Sequence, residues 1–172
     1  MRLAIVETVN TGSSPDALVL VDISPRWLYG HTLADQPVDP AFGAWVDALT
    51  RLTRRLHAVA RFFDATQPSF PIVTVEQEHL TWLRAPRQAM TLALAGLYGD
   101  QCVMAAAETL ARRGHTLVVV RDLCVWENDP PAHYPATVLS AEKAFPGIGA
   151  WIAKQDLAPP LHWDGQALYT WK

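Results

Sequence analysis

Only two cysteines, Cys102 and Cys124, occur in 172 residues. That is too few for a disulfide-built scaffold and fits a reducing compartment, where a lone thiol is either reactive or simply buried. Long apolar runs are missing as well. No segment approaches the roughly 18 to 20 residues that a membrane span requires, and the opening stretch MRLAIVETVNTGSSP meets Glu7 before a signal-peptide core is complete. A soluble, cytoplasmic chain is expected. Blocks of one charge are absent too: the 14 basic and 17 acidic residues, net −3, are spread without runs, which argues against nucleic acid or a membrane surface as partner. The six histidines show no zinc-type spacing, and neither a G-x-S-x-G elbow nor a P-loop occurs. No metal and no cofactor is called for.

What remains is a chain 50% hydrophobic, long enough to bury the core of one compact domain spanning residues 1–172. DALVLVDI, residues 16–23, is a continuous apolar run closed by an acid and Ser24-Pro25, the pattern of a strand covered on both faces. Residues 41–63 place Trp45, Leu49, Leu52, Leu56, Val59 and Phe63 three and four apart, an amphipathic helix. FPIVTVEQEH (70–79), AMTLALAG (89–96) and HTLVVVRDLCVW (115–126) read as further strands, and QCVMAAAETLARRG (101–114) as a helix closed by Gly114. The Pro-rich WENDPPAHYP reads as a surface loop, and PATVLSAEKAFPGIGAWIAKQDL as one or two short helices broken at Pro146-Gly147. RLAIVET and ALYTWK are candidate short outer strands. Strands alternating with helices predict an α/β fold, a three-layer α/β/α Rossmann-like sandwich around a mostly parallel sheet.

In such a sheet, ligands collect beyond the carboxyl ends of the strands. Asp22, Glu76, the segment from Gly96 to Cys102 and that from Arg121 to Trp126 occupy those positions. Cys102 falls at the first turn of its helix, where unpaired N–H groups and the dipole favour a thiolate; alternatively it is a small apolar packing residue. Asp22 is either a proton acceptor for that thiol or a turn cap. Trp27, Trp82 and Trp126, three of seven tryptophans, fall in rim loops and either wall a ligand site or bury a subunit contact. Glu76, Glu78 and His79 read as a solvated strand-end cluster, and Cys124 as packing beside the pocket.

The stretch LALAGLYGDQCVMAAAETLARRGHTLVVVRD resembles the core of the isochorismatase-like cysteine hydrolases, the superfamily of isochorismatases, nicotinamidases and N-carbamoylsarcosine amidases. Gly96, Asp100, Cys102, Val103, Gly114 and Asp122 stand on the family's positions without a gap, and ALVLVDISPRWL is similar to its first strand, with Asp22 on the catalytic acid. The resemblance implies Cys102 as nucleophile, Asp22 as general base, and an oxyanion hole from the amides of Gln101 and Cys102. It also implies a non-proline cis bond at Leu97-Tyr98, and a homodimer or higher homo-oligomer.

Three departures accompany it. The family uses a lysine between the second strand and the nucleophile strand, whereas no lysine precedes Lys143 here. Arg84 and Arg87 lie in the shortened segment, where they bind an anion or are merely solvated; a guanidinium does not shuttle protons. Gly99 replaces a threonine, which is expected to loosen the turn, and Tyr98 stands where a small or acidic residue is usual, placed to narrow the pocket beside Trp27, Glu76, Arg84, Arg87 and Trp126. The expected activity is cleavage of an amide or related C–N bond in a small molecule through a Cys102 thioester. The alternative is a catalytically inactive relative that binds a small molecule or a protein.

Overall fold

The computed structural model describes residues 14–23, 43–76, 88–155 and 157. Its centre is a five-stranded sheet of β1 (Ala17–Val21), β2 (Ile72–Val75), β3 (Thr91–Leu97), β4 (Thr116–Val125) and β5 (Thr137–Leu139). The strand order is β2-β1-β3-β4-β5, and every pairing is parallel. The helices are α1 (Gly43–Thr66), α2 (Cys102–Arg112), α3 (Ala141–Ala144) and α4 (Ile148–Lys154).

The apolar runs became the central strands because only a position covered on both sides buries every residue of such a run. β1 is buried along its whole length, as is β3 after its first residue. The 3.6-residue stripe of α1 faces the core: Leu49, Leu52, Leu56, Val59 and Phe63 are all buried. From β1 the chain steps through α1 to β2 on one side; from β3 it steps through α2 to β4 on the other. Right-handed crossovers running in opposite directions place α1 and α2 on opposite faces of the sheet. α2 packs on β3, β4 and β1, while α1 packs on β4 and α4. The Trp151 indole donates to the Ala58 carbonyl at 2.9 Å and fastens α4 to α1. The result is the expected three-layer α/β arrangement.

The reversal of direction falls between β1 and β3, which makes the gap beyond their carboxyl ends the switch point of the sheet, the usual ligand crevice of open parallel sheets. Gly96 is what allows the two strands to meet there. It has φ +128°, and a Cβ at this position would stand 2.1 Å from the Val21 carbonyl oxygen.

Two features depart from the sequence reading. The segment expected to hold one or two short helices begins with a strand, β5, paired to Val118, Val119 and Val120 of β4. Three residues are too short for an alternation signal, and β5 exists because β4 offers an edge to pair with. β4 itself is not one regular strand. Its partner register on β3 jumps from Leu94↔Val119 to Gly96↔Cys124, so Arg121–Leu123 form a bulge. Bulges bend a strand and re-aim its side chains. Here the Asp122 carboxylate turns to accept the Ala141 amide at 2.6 Å, within electrostatic reach of buried Arg55. The candidate strands RLAIVET and ALYTWK lie outside the described residues.

Gly96→Ala is expected to lose about 4 kcal/mol or more, because its Cβ meets backbone on a neighbouring strand. Gly114→Ala, at φ +88° with nothing within 4 Å of the added carbon, is expected to cost only about 1 to 2 kcal/mol. Urea denaturation of the two variants checks the contrast.

Candidate active site

Asp22 leaves β1 at the switch point with φ +54°, a left-handed conformation uncommon outside glycine but open to aspartate. Its amide donates to the Val75 carbonyl at 2.8 Å, which fixes the backbone while the side chain turns toward β3. Held off-minimum backbone at a crevice is a pointer to function. One strand over, the Leu97-Tyr98 peptide bond is cis, at the position the resemblance implies. The turn Tyr98–Gln101 then delivers Cys102 as the first residue of α2.

The structure brings the two candidate catalytic groups together: the Cys102 thiol and the Asp22 carboxylate are hydrogen-bonded. Since an ionised carboxylate only accepts, the thiol is the donor. Burial, then this hydrogen bond and the negative charge of Asp22, push the thiol from 9.0 up to about 11. The backbone amides of Tyr98 and Cys102 act in the opposite direction, donating to the sulfur. Position at a helix start had suggested a thiolate; desolvation and a neighbouring carboxylate overcome that helix contribution. At pH 7 about one thiol in 10⁴ is ionised on this basis.

The turn geometry bears on the Gln101 amide, one of the two expected to form an oxyanion hole. The Gln101 amide is engaged, donating to the Tyr98 carbonyl at 3.1 Å, where the Val103 amide also donates at 3.1 Å. The amides that act on the Cys102 sulfur are those of Tyr98 and Cys102. Leu97 is buried and shapes the strand end rather than a pocket surface. Tyr98 is half-buried beside the turn.

Nor is the turn loosened at Gly99. The Trp126 indole occupies the space of the missing side chain, since a Cβ on Gly99 would lie 2.4 Å from its ring atoms. The Gly99 amide donates to Val125 at 2.7 Å and its carbonyl accepts the Tyr134 hydroxyl at 2.5 Å. Asp100 accepts from the Glu127 amide at 3.0 Å and from the Asn128 side chain at 2.8 Å, while the Gln101 side chain donates to Glu127. Trp126 is therefore not an open wall of the rim. It is 4% exposed, and its indole N–H donates to the Arg121 carbonyl at 2.9 Å across the bulge. The sequence reading missed Glu127, Asn128 and Tyr134 as partners of this turn. The available signal was a tryptophan and a tyrosine inside a loop otherwise rich in proline and acid.

Of the remaining candidates, Glu76 is exposed just past β2, and Cys124 is fully buried in the core, its thiol pushed up to about 12 chiefly by desolvation. Trp27, Trp82, Glu78, His79, Arg84 and Arg87 lie outside the described residues. Among the described residues no group of three or more His, Cys, Asp or Glu is placed to hold a metal ion, and no helix is long and apolar enough to cross a membrane. Neither a family model nor a curated protein nor a solved structure matches the chain.

Two outcomes follow from these thiols. Asp22→Asn removes a negative charge and a charged acceptor, so the pH at which Cys102 becomes reactive is expected to fall below about 11. Iodoacetamide labelling followed by intact mass across pH reads this directly, with one label per folded chain. Both thiols hold their protons more tightly folded than unfolded, so their contribution to stability is complete below the unfolded value of 9.0 and is lost as pH rises toward 11 and 12. Urea melts at rising pH are expected to show this decline, and Cys124→Ala to flatten it.

Proposed function

We propose that the chain is a small-molecule cysteine hydrolase of the isochorismatase-like type, cleaving an amide or related C–N bond through a Cys102 thioester. The observation that carries this reading is the thiol–carboxylate hydrogen bond at the switch point, with two backbone amides directed at the same sulfur.

A protonated thiol hydrogen-bonded to a carboxylate is the resting state of a general-base mechanism rather than of a preformed thiolate. As a substrate carbonyl approaches, Asp22 takes the thiol proton, the sulfur bonds to the carbonyl carbon, and charge develops on the carbonyl oxygen. The amides of Tyr98 and Cys102 stabilise that oxygen without reorganising. The C–N bond breaks as Asp22 passes its proton to the leaving nitrogen. Water then loses a proton to Asp22 and attacks the thioester, and the thiol departs with that proton, which restores the starting state. The family lysine has no counterpart among the first 142 residues, so the proton cycle runs through Asp22 alone. Arg84 and Arg87, which lie outside the described residues, belong to this proposal as candidate anion-binding groups.

The second reading, a binding module without turnover, is favoured by one observation: the charge acting on the Cys102 thiol is that of Asp22, which opposes ionisation.

p-Nitrophenyl acetate separates the two. The hydrolase is expected to acylate at Cys102, visible as an acetyl adduct by intact mass, and to deacylate at least about 10²-fold faster than Asp22→Asn, which lacks the base for water. Cys102→Ala is expected to form no adduct. Acylation no faster than that of free cysteine, or deacylation equal in the wild type and Asp22→Asn, would sink the hydrolase in favour of the binding module.

A further inference from the structure

The turn that presents Cys102 contains a glycine, yet every polar group of that glycine is tied. Its amide is held by β4 through Val125, and its carbonyl by Tyr134, 35 residues away in sequence. Its missing side chain is replaced by the face of Trp126. The Trp126 and Tyr134 rings lie 5.8 Å apart, tilted by 52°, so one aromatic pair closes over Gly99. Glycine left to itself has the widest choice of φ and ψ of any residue. A change of either angle at Gly99 rotates the Tyr98 peptide on one side or the Asp100 peptide on the other.

We propose that Tyr134 is a positioning residue for the nucleophile turn: by donating to the Gly99 carbonyl, its hydroxyl holds the backbone that presents the Tyr98 and Cys102 amides to the Cys102 sulfur. This deepens the hydrolase reading and rests on Cys102 being its nucleophile. Two further observations support it. Burial, followed by the nearby Cys124 and Asp100, pushes the Tyr134 phenol well up from its usual range, so the hydroxyl remains a donor wherever the protein is folded. The rest of the 126–134 loop grips the same turn through Asp100 and Gln101, so the tyrosine closes a brace whose other end is fixed.

Because the amides favour the ionised sulfur, releasing the turn is expected to weaken their grip and reduce the thiolate fraction at a given pH. Tyr134→Phe keeps the ring against Trp126 and removes only the donor. Its iodoacetamide labelling rate at Cys102, followed by intact mass across pH, is expected to fall about three- to tenfold at every pH below the plateau, with the profile displaced to higher pH. The control is Trp151→Phe, which deletes an indole hydrogen bond between α4 and α1. It is expected to lower Tm by a few degrees and leave the labelling profile unchanged. Should Tyr134→Phe fail to fold, Asn128→Ala removes another bond of the brace from an exposed side chain, with a smaller displacement of the same sign expected.

Labelling profiles of the brace variant and of Trp151→Phe that both superimpose on the wild type, whatever their Tm, overturn the positioning role. Labelling needs no turnover, so this failure is distinct from that of the hydrolase reading, which appears as absent p-nitrophenyl acetate acylation in the unmodified protein.

Discussion

Where β1 and β3 run side by side at Gly96, their backbones approach so closely that the Val21 carbonyl oxygen occupies the place of a side chain. That approach sets the distance between the two strand ends, and everything at the rim inherits it. The residue after Val21 is Asp22; two residues past Gly96 the chain reaches Tyr98 and turns toward Cys102. Had β3 paired on the far side of β2, the same aspartate and the same thiol would stand at opposite margins of the sheet. The reversal of winding between β1 and β3 makes them neighbours, and a parallel sheet leaves its ligand crevice at that reversal.

The electrostatics of the pair follow from that proximity. Burial and the carboxylate hold the proton on the sulfur, while two peptide amides favour its release. In the hydrolase we propose, the two tendencies concern different stages of the reaction: there the carboxylate would keep the thiol oriented and protonated until a substrate carbonyl arrives, and the amides would then face the charge that moves from the sulfur to the carbonyl oxygen. A lysine would relieve the opposition by supplying a positive charge, and the first 142 residues hold none. Backbone orientation at the turn is fixed by the 126–134 loop, which is bound to Gly99, Asp100 and Gln101.

Much of the architecture was legible in local pattern. The 3.6-residue stripe of α1, the unbroken apolar run of β1 and the glycine closing α2 each reflect a constraint that acts within a few residues, so each left its mark in sequence. β5 did not, because three residues carry no period. The bulge in β4 was half legible: Arg121 and Asp122 interrupt an otherwise apolar run, but whether such an interruption bends the strand depends on its neighbour. The partners of the Cys102 turn were illegible for a related reason. Gly99 and Trp126, or Asp100 and Asn128, meet across 27 and 28 residues, and nothing local announces that one glycine is bare because a distant indole fills its space.

By itself, the sequence determined most of the element types, the order in which the long strands and helices alternate, and the placement of an acid at a strand end and a thiol at a helix start, since all of these follow from side-chain chemistry and short-range periodicity. The tertiary structure decided the rest: that Asp22 and Cys102 share a hydrogen bond, that the thiol is held protonated rather than ionised, that the Tyr98 amide and not that of Gln101 is directed at the sulfur, and that Trp126 buttresses a turn rather than lining a rim. Those outcomes depend on desolvation and on hydrogen-bond direction, quantities that exist only once distant parts of the chain have packed against one another.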